Sequence, residues 1–212
     1  KFCLIKQPAG LGDIFFLQKA ASHLIENGYQ IIWPVADHYS WLGNYIKRKG
    51  ISFVKESDDF PYKEYYHHES LIITENFIFL PFECADRILQ TLPMKAKYPL
   101  VYMSSENWQD HFHFKRNKKR EQKLKKHLGL KDGEDFIFVN DMLGSPPDIY
   151  HRPMDIHTEL KIARNDMKLF DDFHPLDYCW ILENAKEIHT VETCFCYLAE
   201  KLVTTDKLFM YS

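Results

Sequence analysis

What the chain lacks narrows its possibilities first. No apolar run approaches the roughly 20 residues needed to cross a bilayer. The opening "KFCLIKQPAG" has no small-residue cleavage pattern, so neither a membrane span nor a signal peptide is expected. Its first residue is Lys rather than Met, as in a trimmed or processed chain. The five cysteines, Cys3, Cys84, Cys179, Cys194 and Cys196, contain no C-x-x-C pair. Their spacing fits neither a zinc site nor a dithiol redox motif, and reduced thiols in a cytoplasmic protein are the simplest reading. Positive charge is not in excess: 27 Lys and Arg against 30 Asp and Glu leave a net −3, so no nucleic-acid partner is expected.

Metal-binding patterns are also scarce. No D-x-D triplet follows an apolar strand. His67 and His68 are adjacent, so their side chains diverge on a strand or a helix. No metal and no other cofactor is expected.

What is present is a folded-protein composition, 45% hydrophobic and 15% aromatic over 212 residues. Along the first half, short apolar runs alternate with helical spacing. "FCLIKQ" reads as a buried strand. Ile14, Phe15, Leu17, Ala21, Leu24 and Ile25 then recur at helical intervals until Asn27-Gly28. "YQIIWPV" is a second strand, "YSWLGNYIKRKG" a helix, "ISFVKES" a third strand, and "SLIITENFIFLPF" two short ones. This β-α-β-α-β order implies a parallel sheet whose first strand is central, with a ligand crevice at its C-terminal edge.

A boundary is expected between about Pro93 and Asn107, giving domains 1–100 and 101–212. The second opens on a basic helix over Phe114–Lys126 and continues through the strand "DFIFVND". "MLGSPPDIYHRPMDI" is too rich in Pro and Gly for a helix. After it come the strand "ELKIARN", the helix "HPLDYCWILENA", the strand "KEIHTV", the helix "TCFCYLAEKL" and a last strand "KLFMYS".

Two segments carry a resemblance: the turn Gly10-Leu11-Gly12-Asp13 after the first strand, and "ILENAKEIHTVETCFCYLAEKL" near the end. Together they resemble the lipopolysaccharide heptosyltransferases and their relatives. That family has a "GxGD" turn and a C-terminal helix–strand–helix element with an acidic and a small residue where this chain has Glu192-Thr193. The resemblance covers Phe2–Gly28 and Phe170–Leu202. It implies a small GT-B-like α/β fold: two Rossmann-like halves with parallel sheets facing across a cleft. It also implies metal-independent transfer of a sugar from a nucleotide-diphosphate donor to a glycan or other hydroxyl acceptor.

Such a transfer needs a base for the acceptor hydroxyl and a stabiliser for the leaving diphosphate. The resemblance makes Asp13 the base. From the residues alone, Asp13 as base and Asp13 as cap of a helix starting at Ile14 weigh about evenly. The donor is expected against Gly10, Leu11 and Gly12, where glycine admits close backbone approach. It is also expected at Asn140 and Asp141 ending a buried strand, at Arg152 and Arg164 as phosphate or ribose partners, and at Glu192, Thr193 and Cys194. There the amides of Thr193, Cys194 and Phe195 would meet the diphosphate at a helix N-terminus. An ordinary turn capped by Thr193 or Glu192 is the plain alternative, and His189 is read as structural.

The tyrosines of "FPYKEYYHHES" would stack on an acceptor sugar. Lys115–Lys126, with eight basic residues against one Glu, would touch an anionic membrane surface weakly or simply be a solvated face. Other classes stay open: a non-catalytic nucleotide- or sugar-binding module, or a nucleotide-sugar epimerase. A dinucleotide oxidoreductase is disfavoured, because "GLGD" lacks the third glycine of G-x-G-x-x-G and no acidic residue ends the second strand.

Overall fold

A computed structural model describes residues 1–145, 148–166 and 172–211. The start of the C-terminal motif, Phe170-Asp171, and the Pro146-Pro147 pair of the Pro-rich linker lie outside the described residues. The chain divides into two compact units, Lys1–Lys115 and Arg116–Ser212.

The first unit follows the expected alternation. β1 (Phe2–Ile5) leads to α1 (Leu11–Phe16) and α2 (Gln18–Glu26), then β2 (Gln30–Val35), α3 (Leu42–Tyr45) and β3 (Ile51–Lys55). After a loop come β4 (Ile72–Ile73), β5 (Phe77–Leu80), α4 (Ala85–Leu89) and α5 (Pro93–Lys97). The sheet order is β3-β2-β1-β5-β4, which makes β1 central as expected. Only β4 runs antiparallel, paired with β5. The stop signal Asn27-Gly28 closes α2 in a Schellman turn. Gly28 sits at φ 84°, Tyr29 N–H donates to the Leu24 carbonyl at 3.0 Å, and Gly28 N–H to that of Ile25 at 2.9 Å.

Three expectations change here. The helix over "YSWLGNYIKRKG" shrinks to α3, because the Tyr45 carbonyl accepts the backbone N–H of the distant Lys115 at 2.7 Å. The tyrosine segment is core: Phe60 and Tyr66 are buried on the sheet face of Leu4, Ile32, Phe77 and Phe79. Tyr62 and Tyr65 lie 4.4 and 4.8 Å from the Phe77 ring. Stacking on the sheet replaces the stacking on sugar. The division also falls at 115/116 rather than near 100, since residues 98–112 pack on the first helices. Phe112 stacks on Phe15 at 4.6 Å, Trp108 meets Phe16 edge-on at 5.6 Å, and Lys19 Nζ donates to the Ser104 carbonyl at 2.8 Å.

The second unit comprises α6 (Lys118–His127), β6 (Phe136–Asn140), β7 (Met142–Ser145), β8 (Asp148–His151), β9 (Lys161–Arg164), α7 (Cys179–Asn184), β10 (Glu187–Val191), α8 (Cys194–Leu202) and β11 (Leu208–Tyr211). Its four-stranded sheet, β11-β10-β6-β9, is parallel throughout. β6 and most of β10 are buried, as interior parallel strands covered on both faces must be. Within the Pro-rich linker β7 pairs antiparallel with β8.

The basic helix begins at Lys118 instead of Phe114, because the Asn117 side chain caps it by accepting from Arg120 N–H at 3.3 Å. Its charge is largely spent inside the unit. Arg116 forks onto fully buried Glu121 and also reaches Glu183. Arg120 holds buried Asp177, Lys123 reaches Asp172, and Lys125 holds Asp132 while lying over Trp180. The weak membrane contact expected of this run loses its argument, since five of the eight cations, Lys118 included, have carboxylate partners. Among the described residues no helix is long and apolar enough to cross a membrane.

Before α7, a single 3-10 turn (Pro175–Tyr178) starts with a reciprocal cap. The His174 ring accepts the Asp177 backbone N–H, and Asp177 Oδ2 accepts the His174 N–H at 2.8 Å. Burial lowers the His174 pKa from its ordinary value; Asp177 opposes this and Arg120 reinforces it. The folded ring therefore takes up its proton at lower pH than the unfolded chain does. The stabilisation is complete above about pH 6.5 and is lost as pH falls through the folded value. We expect the unfolding midpoint to drop between about pH 7.5 and pH 5.5, and His174→Gln to flatten that slope in a pH series of thermal melts. An unchanged slope would contradict the assignment.

Candidate functional site

In the first unit the polypeptide leaves β1 at the C-terminal edge of the sheet and turns at Gly10 into α1. Gly10 is at φ 77°, and a Cβ there would collide with the Asp13 carboxylate. Glycine is thus required twice, for the left-handed turn and for room beside Asp13. Gly12 lies inside α1 at ordinary helical φ and, with Leu11, is buried. Asp13 is not the helix cap. α1 starts at Leu11, Asp13 is in its first turn, and no side-chain cap bond is made.

The Asp13 carboxylate instead meets Lys97, which the sequence reading missed. Lys97 Nζ lies 2.9 Å from Asp13 Oδ1, and its side chain is only 4% exposed against 26% for Asp13. The same ammonium donates to Gln7 Oε1 at 2.7 Å and reaches the Phe82 carbonyl at 3.3 Å. Gln7 is fixed in turn: its Nε2 donates to the Ala9 carbonyl at 2.7 Å, and its own carbonyl accepts from Trp33 Nε1 at 3.1 Å. A buried cation among three oxygens therefore fixes Oδ1, while Oδ2 points over the Gly10 turn.

In the second unit the expected donor residues fall into two connected groups. Asn140 is 1% exposed and ties the C-terminal ends of three strands together. Its Nδ2 donates to Thr190 Oγ1 at 3.0 Å and Thr193 Oγ1 at 3.1 Å. Its Oδ1 accepts from Asn165 Nδ2 at 2.8 Å, and Asn165 Oδ1 accepts from the Tyr178 hydroxyl at 2.7 Å. Asn140 thus positions Thr193, the N-cap of α8, and is too enclosed to serve as an open contact. The Thr193 hydroxyl is engaged too, accepting the Phe195 N–H at 3.4 Å. Of the expected amides, that of Phe195 is consequently already capped.

The second group centres on Asp141, 2% exposed. Its Oδ2 receives both Arg164 Nη1 and His151 Nε2, the latter at 3.0 Å. Arg164 ends β9 and His151 ends β8, and their side chains are 43% and 61% exposed. Asp141 therefore anchors two cation-forming side chains rather than facing a ligand itself. Arg152 enters through its backbone, donating its N–H to the Asp141 carbonyl at 2.7 Å. Glu192 is exposed at the turn before α8. The Cys194 thiol is pushed up to about 12 by desolvation, which keeps it protonated and a poor nucleophile. His189 is structural as expected, bound at 2.8 Å to both Tyr211 and Glu187. Neither Asn165 nor His151 carried a sequence signal, since only pairing of β6 with β9 and β7 with β8 brings them to Asn140 and Asp141.

No protein-family model and no curated protein sequence matches the chain. Its structure is similar to a glycosyl transferase family 9 protein from Veillonella parvula, with a TM-score of 0.56 and 9% identity over 99% of this chain and 80% of that one. Weaker likenesses are to TibC, an iron-containing dodecameric glycosyltransferase of enterotoxigenic E. coli (TM-score 0.47, 10% identity, 99% of this chain and 59% of that one), and to E. coli heptosyltransferase WaaC with ADP (0.41, 9%, 95% and 84%). At 9% identity the Veillonella likeness shows the fold. The chain shares the overall fold of that family 9 protein.

Proposed function

We propose that the chain is a glycosyltransferase that moves a sugar from a nucleotide-diphosphate donor to a hydroxyl of a glycan acceptor, with Asp13 as general base and without a metal. The observation that carries this reading is the Asp13 carboxylate at the C-terminal edge of the central strand, one oxygen held by buried Lys97 and the other turned over Gly10. In this reaction Asp13 Oδ2 takes the acceptor proton as the acceptor oxygen attacks the anomeric carbon. The bond from that carbon to the diphosphate oxygen breaks, and the leaving group carries away the electron pair. Within the second unit, the amides at Thr193 and Cys194 and the guanidiniums of Arg164 and Arg152 have the chemistry to bind a diphosphate.

A thermal-shift panel of ADP-, GDP-, UDP- and CDP-sugars tests it, because a ligand bound only by the folded chain raises its stability, by about 2.7 kcal/mol at a hundredfold excess over Kd. One donor class should raise the midpoint and, with a glycan acceptor, release its nucleoside diphosphate, with EDTA making no difference. Binding without turnover would favour the non-catalytic module, and isomerisation without acceptor the epimerase. No shift with any donor would remove the proposal.

A further inference from the structure

A concavity lies in the first unit where β3 begins, at the opposite edge of the sheet from Asp13. It is open to solvent, has a volume of about 480 Å³, and none of its lining residues is acidic. Three consecutive cations, Lys47, Arg48 and Lys49, line it together with the half-buried side chains of Ile51 and Phe53. The turn that carries the cations is fixed. Ile51 N–H donates to the Arg48 carbonyl at 3.2 Å, and Ile31 N–H to that of Gly50 at 2.7 Å. Gly50, at φ 95°, is packed so closely on Ile25 that a Cβ would come within 3.1 Å of it. Arg48 is oriented by the buried Ser22 hydroxyl, which accepts from Nη1 and itself donates to the Gln18 carbonyl at 2.8 Å. Among the described residues no carboxylate pairs with Lys47, Arg48 or Lys49.

We propose that this cavity binds a phosphate group on a ligand with an apolar portion. The phosphate oxygens are held by the two ammoniums and by the Arg48 donors that Ser22 leaves unused. The apolar portion lies on Ile51 and Phe53. Three adjacent cations on a rigid turn match the charge and multiple acceptors of a phosphate, and an aliphatic and aromatic lining has no use for an ion alone. Parallel strands place this edge away from the carboxylate of the proposed transfer, so the occupant is not the donor sugar.

The full-length chain and its Lys47→Ala/Lys49→Ala variant are titrated with inorganic phosphate and glycerol 3-phosphate, followed by NMR at the amides of 46–53. Both are also sedimented with vesicles of phosphatidylcholine, alone or mixed in equal parts with phosphatidylglycerol. Both lysines are exposed, so the variant should keep the parent unfolding midpoint. Each lysine removed is expected to weaken binding about fivefold, the double variant about 25-fold. Added salt should weaken binding of the parent chain. Binding to the soluble phosphates alone assigns a soluble ligand, and binding to the anionic vesicles as well assigns a lipid headgroup; each supports the site if the variant loses it. The proposal is overturned if neither probe perturbs residues 46–53, or if the variant binds as well as the parent. Neither result bears on glycosyl transfer.

Discussion

Asp13→Asn is expected to lower turnover by about 10²- to 10⁴-fold, the range lost when a positioned general base is removed, while the donor-induced thermal shift persists. Asparagine keeps the shape and can still accept from Lys97 but cannot take the acceptor proton. Lys97→Met should act in the same direction through position rather than proton transfer. It frees Oδ1, strands Gln7 Oε1 and the Phe82 carbonyl, and lets the carboxylate drift, a displacement that can cost about 10²-fold. Because Lys97 works through Asp13, the double variant should be no slower than Asp13→Asn alone. Lys97→Arg, which keeps the charge, should recover part of the loss in kcat. A Lys97→Met enzyme that is merely less stable yet turns over normally below its melting range would reduce Lys97 to a structural cation.

The largest expected effect on stability is at Arg116. Its Nε donates to Glu121 Oε1 at 2.8 Å, Nη2 meets Oε2, and Nη1 reaches Glu183 at 2.5 Å. Glu121 is fully buried, and its other cationic contact, Lys118, is solvent-exposed at 3.6 Å. Arg116→Ala would leave a buried carboxylate with little compensation, a loss of about 3–5 kcal/mol. Arg116→Met with Glu121→Leu removes both charges together and should recover most of that loss. Urea unfolding, with amide exchange in β6 and α7 as the local readout, distinguishes them. A single-variant loss below about 1 kcal/mol would show that the pair is no more than a surface bridge.

These two sites differ in how legible they were. Gly10 and Asp13 could be found because a strand, a glycine turn and a helix are contiguous in sequence. β6 could be found because a strand buried on both faces reads as a nearly unbroken apolar run. Lys97 could not: nothing near it in sequence marks it, and only tertiary packing carries α5 to Gln7 and Asp13. The basic helix misled for a related reason. Its partners Asp132, Asp172 and Asp177 lie outside the run, so charge that reads as a surface is mostly neutralised internally. The tyrosines of residues 60–66 have a composition suited to sugar binding, yet they cover a sheet face where a helix would otherwise be needed. The boundary was placed too early because Pro93 and Pro99 look like linker, whereas Trp108 and Phe112 beyond them are core.

A nucleotide-diphosphate sugar is proposed to bind at the amides opening α8. Amide NMR of the chain titrated with each of the four nucleoside diphosphates addresses this most directly. Saturable shifts are expected, largest at Thr193 and Cys194, with Arg164 responding alongside. Saturation by any of them with those residues unmoved, or no response to all four, would contradict it.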